Sequence, residues 1–285
     1  PCGRMNTASF QPNQRQRWDL CASFSEHVSS PTAQFELRCW SAIGLMSLGI
    51  AGFFAFSLAI SRIPNTETII TWPIQFFEKG LVIHVVFSFV IWFLSIFSII
   101  ITISTFRLSN GSPRAKPLGL LSVFFSLVSF ILLIVPSLSN FGEPSLNNYI
   151  PVIITPMYYV GLCILALAVI IQLIRLILNL YNHIGPFEPI AQSATTAGFL
   201  FIIAIIAFSN SWIHLLGSAI DPAFNENLFW AGGHVLQFLN ALLMLVSWYI
   251  LGSLVINQPI LNPTTFTYVL FTFILIGFYL LILII

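Results

Sequence analysis

The sequence predicts an all-α fold, a polytopic transmembrane helical bundle, on three observations. Hydrophobic residues fill 58% of the 285 positions and charged residues only 7%, with Phe alone contributing 28, so the average residue prefers lipid to water. Charge-free apolar runs long enough to cross a hydrocarbon core, which needs about 20 residues per helix, recur seven times. None of these runs shows the short period-two alternation of a transmembrane β-strand, and each is apolar on all sides.

The spans are expected near 41–61, 80–106, 118–137, 150–178, 195–217, 228–256 and 265–285. A polar N-terminal tail, 1–40, precedes them, and 41–285 forms one membrane domain without a detectable internal repeat. The first apolar run is too long and too far from the N-terminus for a cleaved signal peptide, so it is read as an anchor. The tail segment RQRWDLCASF has only a short apolar face with which to lie on a membrane surface. The connections near 62–79, 107–117 and 138–149 carry Pro, Gly, Ser and Asn, as loops do. Pro151 and Pro156 are placed to interrupt helix four. The chain opens on Pro1, has its first Met at position 5 and reaches Ile285 within an apolar run; the expectation is a gene product truncated at its C-terminus.

Orientation follows from the ten Lys and Arg residues. Arg4, Arg15, Arg17, Arg38, Arg107, Arg114, Lys116 and Arg175 fall on one side, against Arg62 and Lys79 on the other. The positive-inside rule then makes the N-terminus cytoplasmic. A net charge of +1 argues against nucleic acid as a partner. Cys2, Cys21, Cys39 and Cys163 have no spacing that suggests a zinc site or a disulfide framework.

Every acidic residue is expected outside the apolar runs, and Arg175 sits near enough to the cytoplasmic end of helix four to snorkel. A buried carboxylate for ion-coupled transport is therefore not expected. What remains inside is histidine. His84 lies five residues past Lys79 and His234 eight past Glu226, about 8 and 12 Å below the outer surface at 1.5 Å per residue. Two imidazoles on different helices at nearly one depth suit a layer of metal cofactors, because neutral imidazole is the usual ligand of haem iron and copper. Each imidazole serves equally well as a hydrogen-bond donor to a neighbouring helix, and polarity alone leaves the two readings even. Helical spacing aligns Trp230, His234, Gln237, Phe238 and Ala241 on one stripe, and His84, Ser88 and Trp92 on another. Gly232 and Gly233 clear space for a planar group or for another helix. His214, beside Asn210, Ser211 and Trp212 at the outer end of helix five, is read as structural.

The stretch LFWAGGHVLQF, residues 228–238, resembles the helix-six signature of haem-copper oxidase subunit I, LFWFFGHPEVY, matching it at Leu228, Phe229, Trp230, Gly233 and His234. EKGLVIHVVFSFVIWF looks like the helix-two segment of that family around its low-spin haem ligand. The resemblance covers the first seven of the family's twelve helices. It implies that His84 is an axial ligand of low-spin haem iron, that His234 is a ligand of the active-site copper, and that Trp230 stands near that copper. The cofactors implied are low-spin and high-spin haem and copper, with both centres incomplete in this stretch. Val235 and Leu236 replace the Pro and Glu of the motif, and Phe238 stands where many members carry a cross-linked tyrosine, so a proton route through that glutamate is not expected. Register places the family's two further copper ligands near 283–285, where Leu283, Ile284 and Ile285 sit. No catalytic residue is assigned.

The function implied is terminal reduction of oxygen, or of nitric oxide, coupled to respiratory electron transfer. Its partners would be the lipid bilayer, a cytochrome or quinol electron donor, and other oxidase subunits or a missing C-terminal half. Its place would be a bacterial inner membrane or an equivalent energy-transducing membrane. Two other classes remain: a degenerate structural or assembly homologue that has lost metal sites, and a membrane transporter or channel.

Overall fold

A computed structural model describes residues 27–284 apart from 70, 72, 147–149, 182, 186 and 257. Seven helices long and apolar enough to cross a membrane are found among these residues: α1 (Pro31–Ser61), α2 (Phe76–Leu108), α3 (Lys116–Ile134), α4 (Pro156–Leu180), α5 (Pro189–His214), α6 (Pro222–Ile256) and α7 (Pro263–Ile284). The chain is thus a polytopic helical membrane protein. A two-stranded antiparallel hairpin, β1 (Glu143–Ser145) with β2 (Val152–Ile154), lies between α3 and α4.

Several helix starts differ from the hydropathy reading, and prolines explain where they fall. Pro31, Pro156, Pro189, Pro222 and Pro263 each open a helix, the position where proline's missing N–H and fixed φ do no harm. Oxygen caps accompany three of them. Ser30 Oγ accepts from Ala33 N at 3.3 Å, Asp221 Oδ1 from Phe224 N at 2.7 Å, and Asn262 Oδ1 from Thr264 N at 3.0 Å. Consequently the last ten residues of the expected tail, 31–40, belong to α1, while 1–26 lie outside the described residues. Helix four is not interrupted: Pro156 begins it and Pro151 precedes β2.

Most of the packing is between neighbours that alternate in direction. α3 lies along α4, α5 along α6, and α1 along α2; α2 also reaches α4, α5 and α6, so it runs through the middle of the bundle. α7 packs on α5 and α6 and is the least enclosed span. The outward faces carry Phe53, Phe56, Phe124, Ile177, Leu251 and Tyr279, all exposed, as lipid contact requires.

One end of the bundle gathers the basic residues. There Arg107 Nε pairs with Glu188 at 2.7 Å, the Asn179 side chain accepts from Arg114 N at 2.8 Å, and Ser104 Oγ reaches Ile190 O at 3.1 Å. α2 ends in the same layer at Gly111, whose φ of +81° lets its N–H close onto Phe106 O at 2.8 Å. At the opposite end Lys79, fully buried, donates to the carbonyls of Ser139 at 3.1 Å and Phe141 at 3.0 Å. That lysine fastens the α3–β1 connection to α2 rather than facing water.

Arg175 does not snorkel. Its guanidinium forms a two-pronged pair with Glu36 of α1, Nη2 to Oε1 at 3.1 Å and Nη1 to Oε2, and neither side chain has any solvent exposure. A buried carboxylate is therefore present. Hydropathy hid it because Glu36 lies ahead of the first charge-free run.

Candidate functional site

His84 occupies the first half of α2, one turn past Gly80. A Cβ at Gly80 would come within 2.9 Å of Leu58 Cδ2 and 3.1 Å of Phe54 Cδ1, so this glycine brings α1 and α2 close together. The closeness lets His84 Nδ1 meet the backbone carbonyl of Ala51 at 2.9 Å. A carbonyl can only accept, so Nδ1 must carry the hydrogen. In the neutral ring the lone pair is then on Nε2. Hydrogen bonding of one imidazole nitrogen to a carbonyl, which fixes tautomer and ring angle, is the usual support of a metal-ligating histidine.

Immediately beyond, Val86–Ile91 winds as a π-helix, a feature concentrated at functional sites. Ser88 Oγ donates to His84 O at 2.6 Å. After the wider turns Trp92 lies over Gly44 of α1, where a Cβ would meet its ring at 3.3 Å. The expected His84–Ser88–Trp92 stripe is therefore bent by the π turns, and Trp92 serves α1–α2 packing.

α6 carries the second histidine. His234 is on an exposed flank of α6 with its ring 4.5 Å from that of Trp230 and inclined by 54°. Gln237 and Phe238 continue the same flank. Val235, one residue on, points the other way into a satellite core with Ile203 and Ala204 of α5. The glycine pair divides its work. A Cβ at Gly232 would overlap the ring of Phe208 in α5, whereas one at Gly233 would meet nothing within 4 Å.

The two histidines share a level. α2 and α6 run in the same direction, because each helix reverses the one before it, and Asn240 Nδ2 of α6 donates to Phe89 O of α2 at 3.4 Å. His84 precedes Phe89 by five residues and His234 precedes Asn240 by six, roughly 7 and 9 Å along parallel axes. His214 ends α5, with Trp212 edge-on to Phe224 at 6.0 Å, a helix-end arrangement. Cys39 and Cys163 are not in disulfides.

A metal cage built from this stretch alone is not found: among the described residues no three His, Cys, Asp or Glu side chains converge. His84 and His234 could each offer a metal at most a single ring nitrogen. The notable polar site that hydropathy missed is the Glu36–Arg175 pair. The signal for it was a capped proline start at Ser30–Pro31, which carries Glu36 into α1.

Fold and site together define a seven-span helical membrane protein in which α2 and α6 each carry one histidine. No family model matches the chain. It is similar to an uncharacterised protein of Rickettsia prowazekii (strain Madrid E), 26% identical over 234 residues, covering 74% of this chain and 45% of that protein. It is also similar to an uncharacterised protein of Aquifex aeolicus (strain VF5), 28% identical over 216 residues, covering 74% of this chain and 52% of that protein. The chain spans about half the length of the curated relatives it matches.

Proposed function

We propose that this chain forms the helix-one-to-seven portion of a haem-copper oxidase subunit I-like protein, with the basic end of the bundle toward the cytoplasm. His84 would hold low-spin haem iron through Nε2, and His234 would hold the active-site copper with Trp230 against its ring. The observation that carries this reading is the His84–Ala51 hydrogen bond, which leaves Nε2 as the nitrogen with a lone pair. It is supported by the π turns beside His84, the shared level of His234 and the resemblance of LFWAGGHVLQF to the helix-six signature.

The exposed flank of α6 fits the same reading. An imidazole and an amide, His234 and Gln237, are costly against hydrocarbon, so a further layer of protein or cofactor would cover them. Haem and copper would carry the electrons to oxygen or nitric oxide when bound. The chain's own contribution is the ring angle of His84, the aromatic wall at Trp230 and a water-poor setting. A cytochrome or quinol would be the donor, and an energy-transducing membrane the place.

The test is spectroscopic. The full-length protein, purified from a haem-replete host, is expected to show a low-spin haem band in its reduced-minus-oxidised spectrum and to contain copper by elemental analysis. His84→Ala is expected to abolish the low-spin band while leaving the helix content by circular dichroism intact. A purified wild-type protein without haem would end the reading in favour of a structural or assembly homologue. One observation favours that second reading: Leu283, Ile284 and Ile285 stand where helix seven of the family carries imidazoles.

A further inference from the structure

The Glu36–Arg175 pair opens onto a set of buried polar groups whose partners are missing. Gly119 of α3 lies against the pair, since a Cβ there would come within 2.6 Å of Glu36 Cδ. Phe106 of α2 lies 5.3 Å from the Arg175 guanidinium carbon. Four helices therefore meet at one level near the basic end. α1 and α3 run away from that end and α2 and α4 run toward it, so one turn deeper brings Trp40, Ser122, Thr102 and Gln172 together, and a second turn adds Ser126 and Ser98.

Ser122 Oγ donates to Gly119 O at 2.8 Å, but at the other positions hydrogen bonding fails. Arg175 Nε, Trp40 Nε1, both polar atoms of the Gln172 amide, Thr102 Oγ1, Ser98 Oγ and Ser126 Oγ are buried with no hydrogen-bond partner among the described residues. The side chains at these six positions belong to residues at most 2% exposed. Neighbouring hydroxyls behave differently. Ser95 donates to Ile91 O at 2.7 Å, Thr105 to Ile101 O at 2.8 Å and Ser129 to Gly161 O at 2.7 Å. The unsatisfied groups thus form a column about two turns long, bounded above by satisfied hydroxyls at Ser95 and Ser129 and below by an ion pair.

Buried polar atoms are almost always partnered, by protein or by ordered water. Arg175 Nε–H and the Trp40 indole N–H can only donate, and the adjoining charges already cancel, so the occupant must accept hydrogen bonds and be neutral. We propose that the interior of the α1–α4 quartet holds a closed file of internal water molecules, hydrogen-bonded to Arg175, Trp40, Gln172, Thr102, Ser98 and Ser126 and stoppered at the basic end by the Glu36–Arg175 pair. This site is independent of any haem or copper. No unpartnered group of this column lies beyond Ser98 and Ser126 among the described residues, so the file ends there.

Two measurements on the chain in lipid nanodiscs test it. In radiolytic hydroxyl labelling with ¹⁸O-water, Trp40 is expected to be oxidised readily relative to the same residue in the unfolded chain, with little uptake of bulk ¹⁸O at short mixing times. Phe97, equally enclosed at 0% exposure but among apolar neighbours, is expected to stay protected. Protection of Trp40 as complete as that of Phe97 would overturn the proposal. Separately, Gln172→Met keeps the shape of the side chain and removes its amide. A dry orphaned amide would make this change raise the melting midpoint, whereas a hydrated one makes it fall, because the waters lose two partners; a raised midpoint overturns the proposal even if labelling is slow to interpret.

Discussion

Arg175→Met should be the most damaging single change in the bundle, lowering stability by about 3–5 kcal/mol, and Glu36→Met should match it. Each leaves the other charge enclosed with no solvent exposure and no counter-ion. The pair itself adds little net stability, since bringing two ions out of water offsets their attraction. The asymmetry yields a sharper expectation: Glu36→Met combined with Arg175→Met should recover most of the loss, because the two methionines fill similar volume and bury no charge. A fluorescence melt in detergent of the three variants measures this. Single variants that melt with the wild type would show that water reaches the pair freely; a double variant as unstable as either single would show that the pair fixes the α1–α4 contact by geometry instead. Gly119 tightens the prediction, as any larger residue there displaces both partners.

The same pair marks where hydropathy stops being informative. Seven spans were legible because seven charge-free runs have no other use in a chain this apolar, and seven such helices are found among the described residues. The ends were less legible. Apolar runs report where lipid is, while helix starts are set by caps and prolines, and Pro31, Pro189 and Pro222 extend their helices beyond the apolar stretch. Counting a charge as the edge of a span therefore placed Glu36 in water. The column behind it also has a sequence trace, Ser95, Ser98, Thr102 and Thr105 on α2 and Gly119, Ser122, Ser126 and Ser129 on α3, each at three- and four-residue steps. Such steps lay a polar seam on one helical face. Which seams meet is a matter of packing, and no spacing within one helix contains it.

That α2 and α6 each carry a histidine was legible, because both residues lie in apolar runs. The His84 hydrogen bond to Ala51 was not, since it joins α2 to a carbonyl of α1, and backbone carbonyls have no sequence signature. The π turns at Val86–Ile91 were hidden as well, because VFSFVI reads as part of one continuous apolar run.

Gly232→Ala should be destabilising by about 1–3 kcal/mol, the usual cost of forcing extra volume into a packed contact, and Gly233→Ala should not. The residues are adjacent in one helix, so helix propensity is nearly held constant between them. At Gly232 the new methyl falls on the Phe208 ring, which cannot swing freely because Phe229 stands edge-on to it at 5.7 Å. At Gly233 the methyl enters open space beside His234. Paired thermal melts of the two variants decide the packing half of the comparison; equal losses would mean that α5 and α6 sit differently. Gly233→Leu then carries the comparison to function. In a bundle whose α6 flank simply faces lipid, a leucine there is welcome and changes nothing. Where the flank faces a copper held by His234, its bulk crowds the metal, and the copper content of the purified full-length protein should fall while the melt of the variant stays at the wild-type value. Stability and metal loading are thereby separated on two neighbouring glycines.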